Sequence, residues 1–432
     1  MRLCLVASKP TDSVIHGFLP AAARLGLEVV LLTDQPEEHE RASARSRQLA
    51  RPGCPRPSAD QHADRDADRD AGQAGDGPPA RFLGCDVWDA RALIGAIAEL
   101  PAPHAIVSNS DHLQTQAALA AAYFGLPGKD WRSALRAKNK SLMRRRLAEA
   151  GTEQVAAARI RAGGDPPDGL RYPVVLKPAE GVASEDVVLV AGPEELAEQS
   201  ARILARRPGE TLLAEEYLPG ELRTLETLGD GERTWVLGGF RTTVSPPPYF
   251  IEERLTWAPP APEAAREHVL GALGALGVTF GACHTEYVDG GQGAALIEVN
   301  DRLIGDHCDF VLSDLLGVDL FDLVLRVHLG EALPAEPPRP WGGTGHAVID
   351  YVVADRSGTL TAVPAAGARA TPPDVRLSFR PLRAAGDHIV ITHTNRDYLG
   401  VISAIGADAT AVEAAVAAAK SAESWPVAVA RW

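Results

Sequence analysis

The 432-residue sequence lacks several features that define common classes of protein. It has no excess of positive charge: 57 acidic residues outweigh 43 basic ones and leave a net charge of −14, which argues against a basic surface for nucleic acid. No apolar run approaches the roughly 18 to 20 residues that cross a bilayer, and the N-terminal segment shows no apolar core followed by a small-residue cleavage site. We therefore expect a soluble, cytoplasmic protein with neither nucleic-acid nor membrane partners.

Cysteine is scarce, and its spacing excludes two further classes. The five cysteines form no close pairs and show no metal-ligand spacing; they are Cys4, Cys54, Cys85, Cys283 and Cys308. An odd, scattered set favours reduced thiols over a disulfide framework.

The motifs of several large enzyme classes are also missing. The segment GLPGKD at 125–130 has two residues between its glycines instead of four, and no Ser or Thr follows Lys129, so it is not a P-loop. The glycines at 290–293 join two predicted strands rather than a strand and a helix, which argues against a Rossmann fingerprint. Neither HExxH nor GxSxG occurs.

The length and the 45% hydrophobic content allow two or three domains. Apolar runs at 3–7 and 28–32 flank a helix predicted at 18–27, an order typical of a parallel α/β sheet. This N-terminal domain extends to about residue 130 through a helix near 89–100, a strand at 105–108 and a helix at 112–124. Residues 41–80 interrupt it with a tandem ADRD repeat and few large apolar side chains, so we predict a flexible surface insertion there.

After residue 130 the pattern changes to strands in runs with helices between them, which favours α+β sub-domains. The predicted strands are 172–177, 186–190, 212–216, 222–228, 234–240, 280–288 and 294–300, and the predicted helices are 138–151 and 262–276. After a proline-rich stretch, residues 341–432 are predicted to form a mostly β unit with a final helix at 410–422.

The strongest chemical signal is the segment CHTEYVDGGQGAALIEVNDR, residues 283–302, here called the acidic hairpin. Strand side chains alternate between faces, so Glu298 and Asn300 project to one side, and Glu286 on the facing strand lies close to opposite them. Adjacent carboxylates repel unless a cation lies between them, and oxygen ligands favour magnesium. Arg302 continues this face, where its forked cation suits a phosphate or carboxylate. The plain alternative is a surface hairpin whose polar residues face solvent.

A second set of residues suits a nucleotide. Lys177 ends the apolar run YPVVLK and precedes the small-residue segment PAEGVAS, so its ammonium and the loop amides are placed to bind phosphate oxygens. The segment LLAEEYLPGE, residues 212–221, offers backbone groups to an adenine edge and a carboxylate to ribose hydroxyls. Each feature alone is equally typical of a solvated strand end, and Lys140 on its arginine-rich helix is alone only a solubilising residue.

Two further segments are candidates for a substrate pocket. Asp306 and His307 are placed to bind an acceptor amine, although Asp306 suits a helix N-cap equally well. The segment VSPPPYFIEERLTW, residues 244–257, lies between predicted regular elements and is either a surface crossover or a wall of the acceptor pocket. Its candidate substrate residues are Tyr249, Glu252 and Trp257.

Taken in order, these segments resemble the ATP-grasp superfamily over the whole chain except 41–80. The resemblance rests on NKSLMRRRLAEAG, YPVVLKPAEGVAS, LLAEEYLPGE, HTEY and LIEVNDRLIGD. HTEY followed by IEVNDR is similar to the amino-acid and peptide ligases, including enzymes of dipeptide-antibiotic and siderophore assembly, and the final GDHIVITHTNRDYLGVISAIGAD resembles their C-terminal unit. The resemblance implies an α/β and α+β multidomain fold: an N-terminal open α/β domain (1–130), an ATP-grasp nucleotide- and metal-binding domain (131–340) and a small C-terminal β-rich unit (341–432).

The resemblance also implies a role for each matching residue. Lys140 and Lys177 match the lysines that contact nucleotide phosphates, and Ser184 with its neighbouring amides would replace the several glycines of the phosphate loop in relatives. The adenine hinge of the family matches Glu215, Glu216, Tyr217 and Leu218, and its ribose-binding carboxylate matches Glu221. The family's metal ligands match Glu286, Glu298 and Asn300. Its catalytic residues match Arg302, Lys177 and His284. Asp301, where proline is common, and Asp306, where a further glycine is frequent, depart from the pattern.

The implied activity is that of an ATP- and magnesium-dependent ligase, with manganese as an alternative metal. It would join a small-molecule carboxylate to an amine through an acyl phosphate, releasing ADP and phosphate, in siderophore or dipeptide biosynthesis; a homodimer is common in this group. Two other interpretations stay open: another ATP-grasp enzyme, such as a bicarbonate-phosphorylating carboxylase, and a non-catalytic nucleotide-binding partner.

Overall fold

The structure is a computed structural model that describes residues 1–49, 80–162, 169–258, 262–291, 293–340, 343–369, 371 and 374–428. Within these ranges no helix is both long and apolar enough to span a membrane. Four of the five cysteines fall in the same ranges as free thiols, and Cys54 lies outside them.

The N-terminal part is an open parallel α/β sheet, as predicted. Its strands are β1 (Arg2–Val6), β2 (Glu28–Thr33), β3 (Arg81–Gly84) and β4 (Ala105–Ser108), and its helices are α1 (Leu19–Arg24), α2 (Pro36–Leu49), α3 (Ala90–Ala98) and α4 (Gln114–Tyr123). The strand order is β3-β2-β1-β4 with every pairing parallel. The strands are continuous apolar runs because both faces of such a sheet are covered.

The flexible insertion predicted for residues 41–80 is wrong for its first part. Residues 41–49 belong to helix α2, which buries His39 and Ser43 on one face, four residues apart. That polar pair carries no apolar signal in the sequence, so periodicity does not reveal the helix. Residues 50–79 lie outside the described part of the chain.

A four-stranded antiparallel sheet follows two short helices. These elements are α5 (Trp131–Lys138), α6 (Lys140–Glu149), β5 (Ala157–Ile160), β6 (Val174–Pro178), β7 (Val188–Val190), α7 (Pro193–Arg206) and β8 (Leu212–Glu216). The order β5-β8-β6-β7 places Lys177 on β6 directly beside β8. Asn139 separates α5 from α6: its side-chain oxygen accepts a hydrogen bond from Leu142 N at 3.1 Å and caps α6.

A ten-stranded sheet contains the acidic hairpin. The elements up to residue 328 are β9 (Glu221–Asp230), β10 (Thr234–Gly238), β11 (Phe240–Val244), β12 (Glu252–Trp257), α8 (Glu263–Leu276), β13 (Phe280–Gly290), β14 (Gly293–Asn300), α9 (Cys308–Leu316) and α10 (Leu320–His328). Strand β12 corrects the prediction that residues 244–257 lie between regular elements. Its charged residue Arg254 forms ion pairs with Asp350 and Glu413, which lie on a strand and on a helix of the C-terminal region. Those partners lie far along the chain, which hides the strand from a local pattern.

Of the strands that the structure describes after residue 340, four extend the ten-stranded sheet and three form a small sheet of their own. The elements of this region are β15 (His346–Val353), β16 (Gly358–Leu360), β17 (Gly367–Arg369), β18 (Val375–Pro381), β19 (His388–Ile389), β20 (Tyr398–Gly406), α11 (Ala409–Ala422) and β21 (Val427–Ala428). The sheet order is β14-β13-β9-β11-β12-β15-β20-β18-β17, with β10 paired to β9, while β19, β16 and β21 form a small separate sheet. The β-rich character and the final helix are as predicted.

Candidate functional site

A cavity of about 920 Å³ lies where the three larger sheets meet. Its wall includes the loops after β1 and β4, the end of β6, the residues after β8, the acidic hairpin and part of the C-terminal region. Because every larger sheet contributes to it, side chains far apart in the sequence face one another there.

The acidic hairpin presents its polar face to this cavity. Glu286 pairs directly with Glu298, and His284 with Asn300, so all four side chains share one face, as the alternation predicted. The opposite face is apolar and packs Tyr287, among others, against helices α6 and α8. The hairpin is therefore covered on one side and forms a cavity wall on the other, not an open surface.

Each hairpin carboxylate has a cationic neighbour. Lys140 Nζ lies 2.7 Å from Glu298 Oε1, and His284 Nε2 lies 3.5 Å from Glu286 Oε1. Burial raises the pKa of Glu286, but His284 outweighs burial and leaves the pKa below its ordinary value. Glu286 is thus favoured as an anion although it faces a second carboxylate, Glu298, across the hairpin.

The donor set fits a hard divalent cation. Glu286, Glu298 and Asn300 supply two carboxylates and one amide oxygen on adjacent strands, the ligand type that magnesium prefers. In the described part of the chain no group of three or more His, Cys, Asp or Glu side chains is arranged to hold a metal. Any divalent cation bound here would therefore rely on the two carboxylates, with the Asn300 amide oxygen as a further donor on the same face.

Lys140 is fixed by the start of helix α6. Its backbone N–H donates to Ala179 O at 2.9 Å, and its ammonium donates to Gly181 O at 3.2 Å and to Glu298. Burial works to lower the pKa of Lys140, but the Glu298 carboxylate outweighs it and the pKa stands above its usual range. The lysine thus joins the helix, the loop after β6 and the hairpin.

Lys177 and Glu215 form a buried ion pair with Arg144. The Lys177 ammonium contacts one Glu215 oxygen, and Arg144 Nε donates to the other at 2.9 Å. Burial would raise the pKa of Glu215, but Arg144 and Lys177 hold it at about 2. Burial, with Arg144 and Lys140 nearby, lowers the pKa of Lys177. The sequence identified the Arg144 segment but gave this arginine no role.

The end of β8 and the residues that follow it line the cavity, but the two carboxylates at the strand end already have protein partners. Glu216 accepts from Ala156 N at 3.1 Å, and Glu215 is taken up by its ion pairs. Tyr217 and Leu218 also belong to the wall, so what this predicted hinge offers is mainly its backbone and its apolar side chains. Gly220 ends it: a Cβ there would lie 2.6 Å from Asp289 O, so only glycine lets β9 pass the hairpin.

The loop at residues 181–186, here the phosphate loop, has an unusual backbone. Ala183, Ser184 and Asp186 adopt left-handed conformations with φ of 56°, 53° and 57°. Non-glycine residues rarely do so, and such conformations cluster at functional sites. Ser184 and its neighbours line the cavity beside Lys177, where the sequence placed them.

Arg302 is oriented by residues that the sequence did not identify. Its Nε lies 3.8 Å from Asp111 Oδ1, and Asp111 also contacts the Lys138 ammonium. Burial would raise the pKa of Asp111, but Arg302 and Lys138 hold it at about 2. Asp111 follows β4, at the carboxyl edge of a parallel sheet where ligands usually bind, and this position was an available signal.

His284 is held between two carboxylates. Its Nδ1 lies 2.8 Å from Glu226 Oε1 on the neighbouring strand β9. Burial would lower the pKa of His284, but Glu226 outweighs it and raises the pKa to about 10, so the imidazole is charged at neutral pH. Sequence reasoning overlooked Glu226, although a carboxylate inside an apolar strand is itself a signal.

The candidate substrate residues do not all reach the cavity. Glu252, Asp306 and His307 line it. Tyr249 instead lies in a smaller cavity of about 390 Å³, stacked on His393 at 4.2 Å. The ring of Trp257 packs edge-on against Phe240 and does not line the cavity, so its substrate contact stays a prediction that this packing does not support.

Two other predicted roles are corrected. Glu221 pairs with Arg223 Nη2 at 2.5 Å and with Arg241 Nε at 2.6 Å, while its neighbours Gly220 and Leu222 line the cavity. Strand alternation turns it away from them, so the structure does not bring it to the predicted ribose position. His307, not Asp306, occupies the N-cap of α9, and it makes no side-chain cap.

One ion pair explains two oddities of the sequence. Lys129 of the false phosphate loop GLPGKD donates to Asp301 Oδ1 at 2.7 Å, and both side chains are buried. Asp301 is the residue that stands where proline is common. Lys129 and Asp301 each depart from a familiar motif, and the structure shows that they contact each other. Their ion pair joins the segment that precedes α5 to the acidic hairpin.

Comparisons with known proteins agree with this architecture. No protein-family model matches the chain. An uncharacterized protein of Sinorhizobium fredii is 29% identical over 323 residues, which is 70% of this chain but only 64% of that relative. An L-amino acid ligase from Bacillus licheniformis superposes over 99% of this chain and 98% of its own, with a TM-score of 0.72 and 20% identity.

A second solved structure shares the fold. The biotin carboxylase domain of the Hydrogenobacter thermophilus 2-oxoglutarate carboxylase, in complex with MgADP and bicarbonate, matches over 99% of this chain and 90% of its own, with a TM-score of 0.66 and 16% identity. These identities establish the fold and not the reaction. The fold class predicted from the sequence is confirmed, and the chain has the ATP-grasp fold.

Proposed function

We propose that the protein is an ATP-dependent ligase that joins a carboxylic acid to an amine through an acyl phosphate. The observation that carries the proposal is the convergence of opposite charges in one cavity. Facing carboxylates Glu286 and Glu298 stand beside Lys140, and Lys177 and Arg302 complete the wall. Phosphoryl transfer needs little covalent help and is catalysed mainly by positioning and electrostatics, which is what this wall provides.

The cation-binding part of the site would consist of Glu286, Glu298 and Asn300. Bound there, magnesium would offset the negative charge of the nucleotide's terminal phosphates. Manganese fits the same oxygen donors. The contact between Lys140 Nζ and Glu298 Oε1, at 2.7 Å, holds one carboxylate in place on this face of the hairpin.

The remaining steps belong to the protein's own side chains. Lys177 and the phosphate loop hold the transferring phosphoryl group, and Arg302, fixed by Asp111, holds the substrate carboxylate in line with it. The carboxylate oxygen attacks the γ-phosphorus and ADP leaves. The amine nitrogen then attacks the acyl carbon, phosphate departs with the bonding electron pair, and the nitrogen loses a proton.

The acyl phosphate must be kept from water, because hydrolysis would waste ATP. The phosphate loop is well placed to shield it, since the C-terminal region holds this loop by two contacts. Asn395 donates its backbone N–H to Ala183 O at 3.1 Å, and Arg396 contacts Glu185. These two contacts connect the phosphate loop to the C-terminal wall of the cavity.

The test is Glu298→Gln, which keeps the shape and the contact with Lys140 but removes the charge that a metal needs. We expect amine-dependent ADP release to fall by about 10³-fold or more. The variant also leaves buried Lys140 without its counter-charge and is expected to melt at a lower temperature, so activity is measured where circular dichroism shows it folded. Glu336→Gln, an exposed residue far from the site, is the control. Normal turnover by Glu298→Gln would refute this assignment of the site.

The substrates are to be found with a phosphate-release screen over pairs of amino acids, hydroxy acids, citrate and diamines. Its expected products are peptide-like amides of dipeptide or siderophore type, which the fold likeness to an L-amino acid ligase supports. Bicarbonate-dependent ADP release without an amine would instead indicate a carboxylase, and nucleotide binding without turnover would indicate a non-catalytic partner.

A further inference from the structure

Residues 392–398, here the bridging segment, connect two walls of the cavity that are remote in sequence. The segment joins β19 to β20 in the C-terminal region and reaches both the phosphate loop and the start of β12. It includes Asn395 and Arg396, which line the cavity. The proposed reaction uses both walls, so a segment that holds them together matters to its geometry.

The contacts with β12 converge on one residue. Glu252 N–H donates to Asn395 Oδ1 at 3.1 Å, and Asn395 Nδ2 donates to Glu252 Oε1 at 3.2 Å. Tyr398 Oη donates to Glu252 O at 2.6 Å. The bridging segment thus holds the backbone N–H, the backbone carbonyl and the carboxyl of Glu252.

The contacts with the phosphate loop involve the same residue of the segment. The backbone N–H of Asn395 donates to Ala183 O at 3.1 Å, where Ala183 is one of the residues in a left-handed conformation. The neighbouring Arg396 contacts the Glu185 carboxylate. Asn395 therefore touches the phosphate loop with its main chain and Glu252 with its side chain.

The bridging segment is itself rigid enough to transmit a displacement. Buried Asp397 accepts hydrogen bonds from Thr392 N at 2.9 Å, Thr392 Oγ1 at 2.7 Å and His393 N at 2.7 Å. The His393 ring stacks on Tyr249 at 4.2 Å. Shifting the phosphate loop by pulling on Ala183 O would therefore move the segment as a unit rather than deform it.

We propose that Asn395 is a positioning residue that couples the phosphate loop to Glu252, so that nucleotide binding orders the wall of the substrate pocket. The proposal rests on the proposed function, because it requires a nucleotide at the phosphate loop. Asn395 performs no chemical step. Its contribution is to keep the phosphate loop and the Glu252 wall in register while the phosphoryl group passes between them, and small misplacements there reduce rates by about 10²-fold.

The first experiment measures hydrogen exchange with a non-hydrolysable ATP analogue, AMP-PNP, and magnesium. In the wild type, the analogue should slow exchange both in the phosphate loop and in the peptide that contains Glu252, about ten-fold or more at each. Asn395→Leu removes both side-chain hydrogen bonds to Glu252 but keeps the backbone contact with Ala183. It should retain the protection of the loop and lose the protection around Glu252.

The possible outcomes separate the two proposals. Protection of the loop in the wild type with unchanged exchange around Glu252 would overturn the coupling alone. Retained protection around Glu252 in Asn395→Leu would also overturn it. Absence of any protection at the loop in the wild type would refute the nucleotide site itself and this inference with it.

A kinetic experiment distinguishes positioning from a merely structural role. With a substrate pair found in the screen, Asn395→Leu should lower kcat by about 10- to 100-fold while KM for ATP changes by less than about three-fold. Arg356→Leu is the matched control, because Arg356 lies in the same region and pairs only with Asp355 on the surface, among the described residues. A rise in KM for ATP with unchanged kcat, or an equal loss in the control, would contradict the proposal.

Discussion

The two ends of the cavity hold carboxylates of opposite character. At the end beside β6 and the loop at residues 181–186, Glu215 lies between Lys177 and Arg144, and its pKa is held at about 2. At the other end, burial, with the charge of Glu286 nearby, raises the pKa of Glu252 to about 8, and the amide of Asn395 is the partner that its carboxyl has within the described residues. The same functional group is therefore an anion at one end and a neutral acid at the other at pH 7. The comparison shows that the charge of a buried glutamate here depends on whether cationic side chains contact it. Glu215 has two such partners, Lys177 and Arg144, and Glu252 has none among the contacts described.

The largest expected effect breaks the paired end. Glu215→Gln leaves Lys177 and Arg144 buried without their counter-charge, which should cost about 3–5 kcal/mol of folding stability at pH 7. Because the pKa of Glu215 is depressed, its contribution is complete above pH 4.5 and is lost as pH falls toward 2. Denaturation by urea at pH 7 and at pH 3 measures this. Equal stability of wild type and variant at pH 7 would contradict the ion-pair account.

A smaller effect of opposite sign is expected at the unpaired end. The pKa of Glu252 is raised, so the folded protein keeps a proton that the unfolded chain loses above pH 4.5, and stability falls as pH rises toward 8. Glu252→Gln removes this penalty and should stabilise the protein by about 1–2 kcal/mol at pH 8 with little effect at pH 4.5. Melting curves at the two pH values test it; destabilisation at pH 8 would show that Glu252 is ionised and paired.

The smallest effect is expected for Glu221, which belongs to neither end of the cavity and whose ion-paired carboxylate is partly exposed. Glu221 lies in ion pairs with Arg223 and Arg241, and such surface pairs contribute little. Glu221→Gln should leave KM for ATP within about two-fold of the wild type. A ten-fold rise in KM would restore to Glu221 the ribose contact that its sequence position implied.

The sequence was sufficient to predict the positions of side chains that a single strand pair or a single sheet arranges. Glu286, Glu298 and Asn300 lie on adjacent strands, and period-two alternation alone placed them on a common face. The lysine at the end of β6 and the parallel N-terminal sheet were readable for the same reason. These features depend on neighbours a few residues away, which a local pattern records.

Contacts between remote elements were not readable. Arg144, Asp111 and Asn395 contact residues that lie between 71 and 212 positions away in the sequence. No pattern in their own segments identifies these partners. The packing of Trp257 was not readable either, because its ring contacts Phe240 on a neighbouring strand and does not line the cavity. The substrate wall, which several elements build together, is accordingly the part of the site that sequence alone described least well.

The pairing of β12 with β15 has a consequence for how the chain can be divided. Arg254, Leu255 and Thr256 bond to the C-terminal region along a continuous ladder, so a chain ending near residue 340 would leave that side of β12 without its neighbour. A bare strand edge is a template for self-association. The last ninety or so residues thus cover this edge of the ten-stranded sheet, and we expect a chain shortened before them to aggregate through the exposed edge.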